Sequence, residues 1–245
     1  MAASSDSAIQ NFQESPVKAI ASGLGRRFAA GVHCLQLNGA VGEGESISFR
    51  SVRDRLARQE FSHLHVQIST TGGIVSEGMA IYEHLRALPV PVSSEVIGQC
   101  LSIGMAVLMA GDFRFSIGEP VLLNHPTRKD RATLPEIVTA ATLRSYADQL
   151  ESTDARIANL FAARTGHPVE FFLADAKTED NLSSASAIQS GLLHEINGLP
   201  QHIDSSWPNL LMAPRPQDMH FPNYLRSQNY VNACKCAASL YEAAP

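Results

Sequence analysis

The sequence is short of charge, of cysteine and of long apolar runs, and each shortage excludes a class of protein. Charged residues make up 18% of the 245, below the roughly 25% of an average soluble chain. With 19 basic against 24 acidic residues, the formal net charge is −5. That balance argues against a nucleic-acid or anionic-membrane surface, which needs a basic stripe. Cys34, Cys100, Cys234 and Cys236 are too few and too scattered for a disulfide framework. Cys234-Lys235-Cys236 has no second pair and no neighbouring histidine, so reduced thiols are a simpler reading than zinc. The most apolar stretch, Ile103 to Gly111, is half the ~18 residues that a membrane helix needs. The opening MAASSDSAIQNFQESP has no apolar core of a secretory signal. The expectation is a cytoplasmic protein with no nucleic acid and no membrane among its partners.

What is present is a hydrophobic fraction of 44% in a chain long enough to bury about 70–75% of its unfolded surface. Residues 1–28, rich in Ser, Ala and Gln, read as an N-terminal arm. Alternation predicts strands at Val32–Leu37, Leu64–Ile68 and Val92–Ile97, with shorter ones at Phe113–Phe115 and Val121–Leu123. Helical spacing predicts helices over Ser48–Gln59, Glu77–Leu88 and Ser102–Ala110. A long helix follows over Leu134–Arg164, with a break near Ser152-Thr153 and an apolar stripe of Leu143, Tyr146, Leu150, Ile157, Leu160 and Phe161. Thr165-Gly166-His167-Pro168 ends it, and shorter helices follow at Pro168–Asp175 and Ser184–Ser190. Strand–helix alternation implies an α/β fold built from crossover units. Residues 29–199 form the predicted domain. Residues 200–245, which hold Trp207, Phe221, Tyr224, Tyr230 and Tyr241, read as a C-terminal extension that docks on something.

Three segments could carry chemistry. Ser102 follows a strand and opens an apolar helix in Gly98-Gln99-Cys100-Leu101-Ser102-Ile103-Gly104. There a hydroxyl meets free N–H groups that favour developing negative charge, although serine is also a common helix cap. Thr71-Gly72-Gly73 lies between a strand and a helix, where paired glycines let the backbone approach a ligand closely; a plain turn is the alternative. His125, at the end of Leu122-Leu123-Asn124-His125-Pro126, has the best setting for a base among the nine histidines. His63 and His65 alternate on a strand edge and read as surface or packing residues.

Together these segments resemble the Clp protease proteolytic subunits, ATP-dependent serine peptidases of the ClpP/crotonase fold. The resemblance runs from about Val32 to Ile196. It is carried by Thr71-Gly72-Gly73 with Gly78-Met79-Ala80-Ile81-Tyr82, by the Gly98-to-Gly104 segment, by Thr165-Gly166, and by Asp180-Asn181-Leu182-Ser183-Ser184-Ala185. It implies an α/β fold of repeated β-β-α units with a long helical handle. It also implies a Ser–His–Asp triad: Ser102 attacks a peptide carbonyl, His125 takes its proton and Asp180 orients the imidazolium. The oxyanion then rests on the backbone N–H groups of Gly73 and Ile103.

Arg114-Phe115 sets the register for His125; a register one residue off puts Asn124 on the base position. Asp175 is a weaker candidate for the acid. Thr71 stands where the family has Pro. Thr127-Arg128-Lys129-Asp130-Arg131 replaces the family's glycine-rich segment between stacked rings. The family habit further implies a homo-oligomeric ring that encloses the site, peptide or unfolded protein as substrate, a separate ATP-driven unfoldase as partner, and no cofactor. The other readings are a non-catalytic subunit of a mixed ring and a crotonase-type acyl-CoA enzyme.

Overall fold

A computed structural model of the protein describes residues 32–116 and 118–196. Its first half alternates β1 (Val32–Val41), α1 (Phe49–Leu56), β2 (His63–Gly73), α2 (Val75–Arg86), β3 (Val92–Leu101), α3 (Ile103–Leu108) and β4 (Phe113–Ser116). The second half comprises β5 (Val121–Leu123), a 3-10 turn, α4 (Ala140–Thr165), α5 (Val169–Thr178), β6 (Asn181–Leu182), α6 (Ser184–Gln189) and β7 (Glu195–Ile196). The N-terminal arm, the C-terminal extension with its five aromatic residues, and Cys234-Lys235-Cys236 lie outside the described residues.

The sheet runs β1-β2-β3-β4-β7 with every neighbour parallel. Parallel neighbours require crossovers, which α1, α2 and α3 supply between the first four strands. Side chains two apart share a sheet face. Leu35, Leu37, Leu64, Val66, Ile68, Val92 and Val96 accordingly enter one core with Val52 and Leu56 of α1, Ile81 and Leu85 of α2, and Met105 and Leu108 of α3.

The opposite face of the same strands is polar and almost equally buried. His65 meets Ser93 Oγ and Glu95 Oε2, each at 2.9 Å. Gln67 Nε2 donates to the same Glu95 oxygen at 2.9 Å, and His63 Nε2 lies 2.8 Å from Ser93 Oγ. The strand-edge expectation for His63 and His65 is therefore corrected. β2 lies between β1 and β3, and these imidazoles are held by cross-strand hydrogen bonds.

Glycine shapes the far end of the sheet. Gly98 sits at φ +79, a conformation that costs other residues strain. Ser93–Val96 of β3 pair with β4, whereas Gln99–Leu101 beyond the bend pair with β5. The β1–β2 and β2–β3 ladders also shift register, after Gly39 and after Ile68. Each long strand thus continues past its bend into a second stretch of pairing, which gives the β-β-α character. The expected strand Leu64–Ile68 is too short for the same reason: Thr71-Gly72-Gly73 is not a turn but the end of β2.

The long helix begins later than its spacing suggests and does not break. Leu134 is extended (ψ 143), as the residue before a proline tends to be, and Thr139 caps the true start by accepting the Thr142 N–H at 3.1 Å. Thr153 stays helical, its hydroxyl donating back to the Gln149 carbonyl one turn earlier at 2.8 Å, where it does not compete with the helix for a backbone N–H. Of the stripe only Leu160 and Phe161 are fully buried, with Ala158 beside them, while Leu143 is 50% exposed. The first turns of α4 project from the core as a handle.

Candidate active site

Ser102 occupies the turn from β3 into α3 with φ 55 and ψ −130. A non-glycine residue held there stores roughly 1–3 kcal/mol of strain, so the surroundings must impose it. They do: the Ser102 N–H donates to the Leu123 carbonyl at 2.7 Å, and the Ser102 carbonyl accepts from Met105 N–H at 2.9 Å. All six residues of α3 are buried, which anchors the turn from below. The Ser102 Oγ has no hydrogen-bond partner among the described residues, and the serine is partly exposed.

The end of β2 is pressed against this turn. Gly72 has φ +85, and a Cβ there would lie 2.6 Å from Ser102 Cβ and 2.7 Å from the Leu101 carbonyl. At Gly73 (φ +149) a Cβ would come within 2.0 Å of the Val41 carbonyl. Both positions therefore require glycine, for contact as well as for conformation. Thr70 holds the loop: its hydroxyl donates to the Gly39 carbonyl at 2.6 Å and accepts the Gly72 N–H at 3.0 Å. Ile103 N–H is the first of α3 and has no intrahelical acceptor. Gly73 and Ile103 thus flank the serine.

β5 and β6 bring the other two site residues to the same end of the sheet. Leu101 pairs with Leu123 and Leu123 with Asn181. One residue further along each strand stand Ser102, Asn124 and Asp180. Asn124, rather than His125, is therefore in line with the serine and the aspartate. Its side chain is 7% exposed and is committed to α5, donating to Asp175 Oδ2 at 3.1 Å and to the Phe172 carbonyl at 3.3 Å. Burial raises the Asp175 carboxyl pKa, against a smaller lowering from the Asn124 hydrogen bond.

His125 is next, with its Nδ1 2.7 Å from the Pro126 carbonyl. Thr127 N–H donates to Asp154 Oδ1 at 2.7 Å, and the Thr127 hydroxyl donates to the Leu150 carbonyl at 3.1 Å. The segment carrying His125 is thus fastened to α5 on one side and to α4 on the other. Asp180 is exposed; its N–H donates to Thr178 Oγ1 at 3.3 Å, and its carboxylate has no hydrogen bond among the described residues. Beside it, Glu179 pairs with Arg128 at 2.6 Å. No hydrogen bond links the Ser102, His125 and Asp180 side chains to one another.

A cavity of about 100 Å³ opens beside His125, between the Asn124–Pro126 segment and α4 and α5. Asp154 and Lys177 are the charged groups on an otherwise largely apolar wall of Ile157, Phe161, Phe172 and Leu173. Another serine–histidine–carboxylate arrangement among the described residues, Ser93–His65–Glu95, lies inside the sheet with each member 2% exposed or less. It is a packing network that a substrate does not reach. Among the described residues no group of three or more His, Cys, Asp or Glu could hold a metal ion, and no helix is long and apolar enough to cross a membrane.

Sequence reasoning marks Ser102, Gly73, Ile103, His125 and Asp180, and notes Asn124 and Asp175 separately. It misses that the last two form a half-buried pair, and that Asp154 holds the segment after His125. Both partners lie far along the chain on helices whose facing no local motif reveals.

Taken together, the chain is an α/β protein whose candidate site gathers where the bent ends of parallel strands meet helix starts, the usual location of sites in open α/β sheets. The family model described as Clp protease matches residues 55–198, more than half of the sequence. The chain belongs to the Clp protease family. It is 28% identical over 134 residues to the ATP-dependent Clp protease proteolytic subunit 1 of Chlamydia felis (strain Fe/C-56), covering 54% of this chain and 64% of that one. The identity is also 28% over 134 residues to proteolytic subunit 2 of Chlamydia abortus (strain DSM 27085 / S26/3), covering 54% of this chain and 63% of that one. The match thus spans slightly less than two thirds of these curated relatives. A solved structure, that of a ClpP1 mutant from Listeria monocytogenes, superposes with a TM-score of 0.56 at 19% identity, covering 73% of this chain and 95% of that one. That likeness establishes the ClpP fold.

Proposed function

We propose that the protein is a serine endopeptidase subunit that cleaves unfolded polypeptides through an acyl-enzyme. The observation that carries this reading is the forced turn at Ser102, a partly exposed serine held at positive φ against Gly72. Strain of that kind persists where the surroundings over-determine it, and it concentrates at functional sites. Family membership supports the peptidase role.

In the proposed mechanism Ser102 Oγ attacks the peptide carbonyl while His125 Nε2 takes its proton. The oxyanion is received by the N–H groups of Gly73 and Ile103, a contribution for which one donor is typically worth about 10²–10³ in rate. The imidazolium then protonates the leaving amine, the C–N bond breaks, and water with His125 as base releases the acid. Asp180, one residue before the β6 partner of Leu123, supplies negative charge toward the imidazolium. Assembly into a homo-oligomeric ring accords with the exposed apolar side chains Ile137 (84%), Val138 (37%) and Leu143 (50%). They surround the start of α4 and gain from burial against another copy. Unfolding of substrates falls to a separate ATP-driven partner, and the site lies in the cytoplasm.

A second reading is favoured by one observation. Asn124 stands in line with Ser102 and Asp180, and an amide is no general base. On that reading the chain is a non-catalytic subunit of a mixed ring. Hydrolysis of an unstructured fluorogenic polypeptide separates the two. The peptidase reading expects activity that Ser102→Ala and His125→Ala each abolish. Inactive wild-type protein that gains activity on Asn124→His supports the second reading instead.

A further inference from the structure

The hydrogen bond at His125 Nδ1 fixes more than the direction of the ring. A carbonyl oxygen can only accept, so the 2.7 Å contact with Pro126 requires Nδ1 to carry the proton. Nε2 is then left with its lone pair, which is the tautomer that a general base needs. In a serine triad the acid secures this tautomer, and an amide in its place costs about 10⁴ in rate through the wrong one. Here the Asp180 carboxylate is exposed and has no hydrogen bond among the described residues, so another group holds the ring.

The carbonyl that does so is itself held. It belongs to the Pro126–Thr127 peptide, whose N–H donates to Asp154 Oδ1 at 2.7 Å. The peptide bonds among the described residues include no cis bond, and in a trans unit C=O and N–H point in opposite directions in one plane. Fixing the N–H on Asp154 therefore aims the C=O at His125. Proline narrows the swing further, because its φ is locked. The carboxylate also polarises the amide it binds, which strengthens the hydrogen bond at the other end.

We infer that Asp154 of α4 is a positioning residue for the base, acting on His125 through the Pro126–Thr127 peptide. The chain runs from the Asp154 carboxylate to Thr127 N–H, through the peptide to the Pro126 carbonyl, and from there to His125 Nδ1–H. Asp180 contributes charge but not the tautomer. This rests on the peptidase reading for its catalytic consequence, though not for its geometry.

Two measurements test it on the full chain. The first is ¹⁵N NMR of histidine-labelled protein, with the His125 signal assigned by its loss in His125→Gln. The second is the rate of labelling by a fluorophosphonate. The wild type and Asp180→Ala both show the Nδ1–H tautomer, and Asp154→Ala loses it to a mixture. Asp154→Ala labels about tenfold to a hundredfold more slowly, a part of the roughly 10²–10⁴ that a general base contributes. Asp154→Asn, whose carbonyl still accepts from Thr127, recovers most of that rate. An Nε2–H tautomer in the wild type overturns the inference, whether or not any variant folds. So does an Asp154→Ala protein that matches the wild type in both measurements. A wild type that shows the expected tautomer shift but no labelling at Ser102 removes the peptidase reading, and with it the catalytic role of Asp154. The two failures are thus told apart.

Discussion

The contact between Gly72 and Ser102 makes a quantitative prediction, because Gly72→Ala forces the two apart. The added Cβ would sit 2.6 Å from Ser102 Cβ and 2.7 Å from the Leu101 carbonyl, where nonbonded carbons rest about 3.5–4.0 Å apart. Relief requires a shift of roughly 1 Å in the serine turn or in the end of β2. Neither can give freely, since Ser102 N–H is bonded to Leu123 and Gly72 N–H to Thr70. Holding alanine at φ +85 costs about 1–2 kcal/mol, and overpacking adds about 1–3 kcal/mol. Together they lower the melting temperature by roughly 5–15 °C for a domain of this size.

Gly44 is the internal control. It has φ +82 with nothing within 4 Å of a Cβ, so Gly44→Ala carries only the conformational cost, roughly 2–6 °C. A misplacement of about 1 Å can also cost about 10² in rate, so Gly72→Ala loses hydrolysis of the fluorogenic polypeptide while Gly44→Ala keeps it. Differential scanning calorimetry and the hydrolysis assay read the two effects. Equal melting temperatures for the two variants, with activity intact in both, would refute the packing of the Gly-Gly segment on the serine.

Other perturbations probe the scaffold. Asp112 is 2% exposed, meets Arg86 Nη1 at 2.5 Å and accepts the Val92 N–H at 3.0 Å; Asp112→Ala should lower the unfolding free energy in urea by about 3–5 kcal/mol. Burial depresses the His63 pKa to about 4 and pushes His194 in the same direction. Between the unfolded value near 6.5 and pH 4 the unfolded chain therefore binds more protons. Stability is full above about pH 6.5 and declines below it, by about 3 kcal/mol for His63 alone; urea midpoints that do not fall between pH 7 and pH 5 contradict this. Cys34, with its thiol pushed up to about 12 chiefly by burial, and Cys100, raised by burial alone, should resist iodoacetamide at pH 8 until the protein is unfolded, as read by peptide mass mapping.

Local patterns carry much of the fold because apolar residues recur two apart, strictly in β2 and with interruptions such as Ser94 in β3. Leu35/Leu37, Leu64/Val66/Ile68 and Val92/Val96 announce one buried face by period alone. Residues past the bends mislead. Thr71-Gly72-Gly73 and Gly98-Gln99-Cys100-Leu101 look like turns, since glycine marks both turns and bent strands, and only pairing with β1 and β5 decides between them. β6 and β7, two residues each, are too short to show any period. At the site, Ser102 is legible from its place between strand and helix. The setting of His125 is not, because Asn124 reaches Asp175 and Thr127 reaches Asp154 only when α4 and α5 fold back across the end of β5. The same limit applies to His63 and His65, whose polar character hides a buried network that spans the sheet.

The central claim is that Ser102 is a nucleophile made reactive by this geometry. Its most direct test is to treat assembled wild-type protein and Ser102→Ala with a fluorophosphonate and to map the adduct by mass spectrometry of the digested chain. A single adduct on the peptide carrying Ser102, absent from Ser102→Ala, is the predicted result. A folded, assembled wild type with no adduct at Ser102 contradicts it.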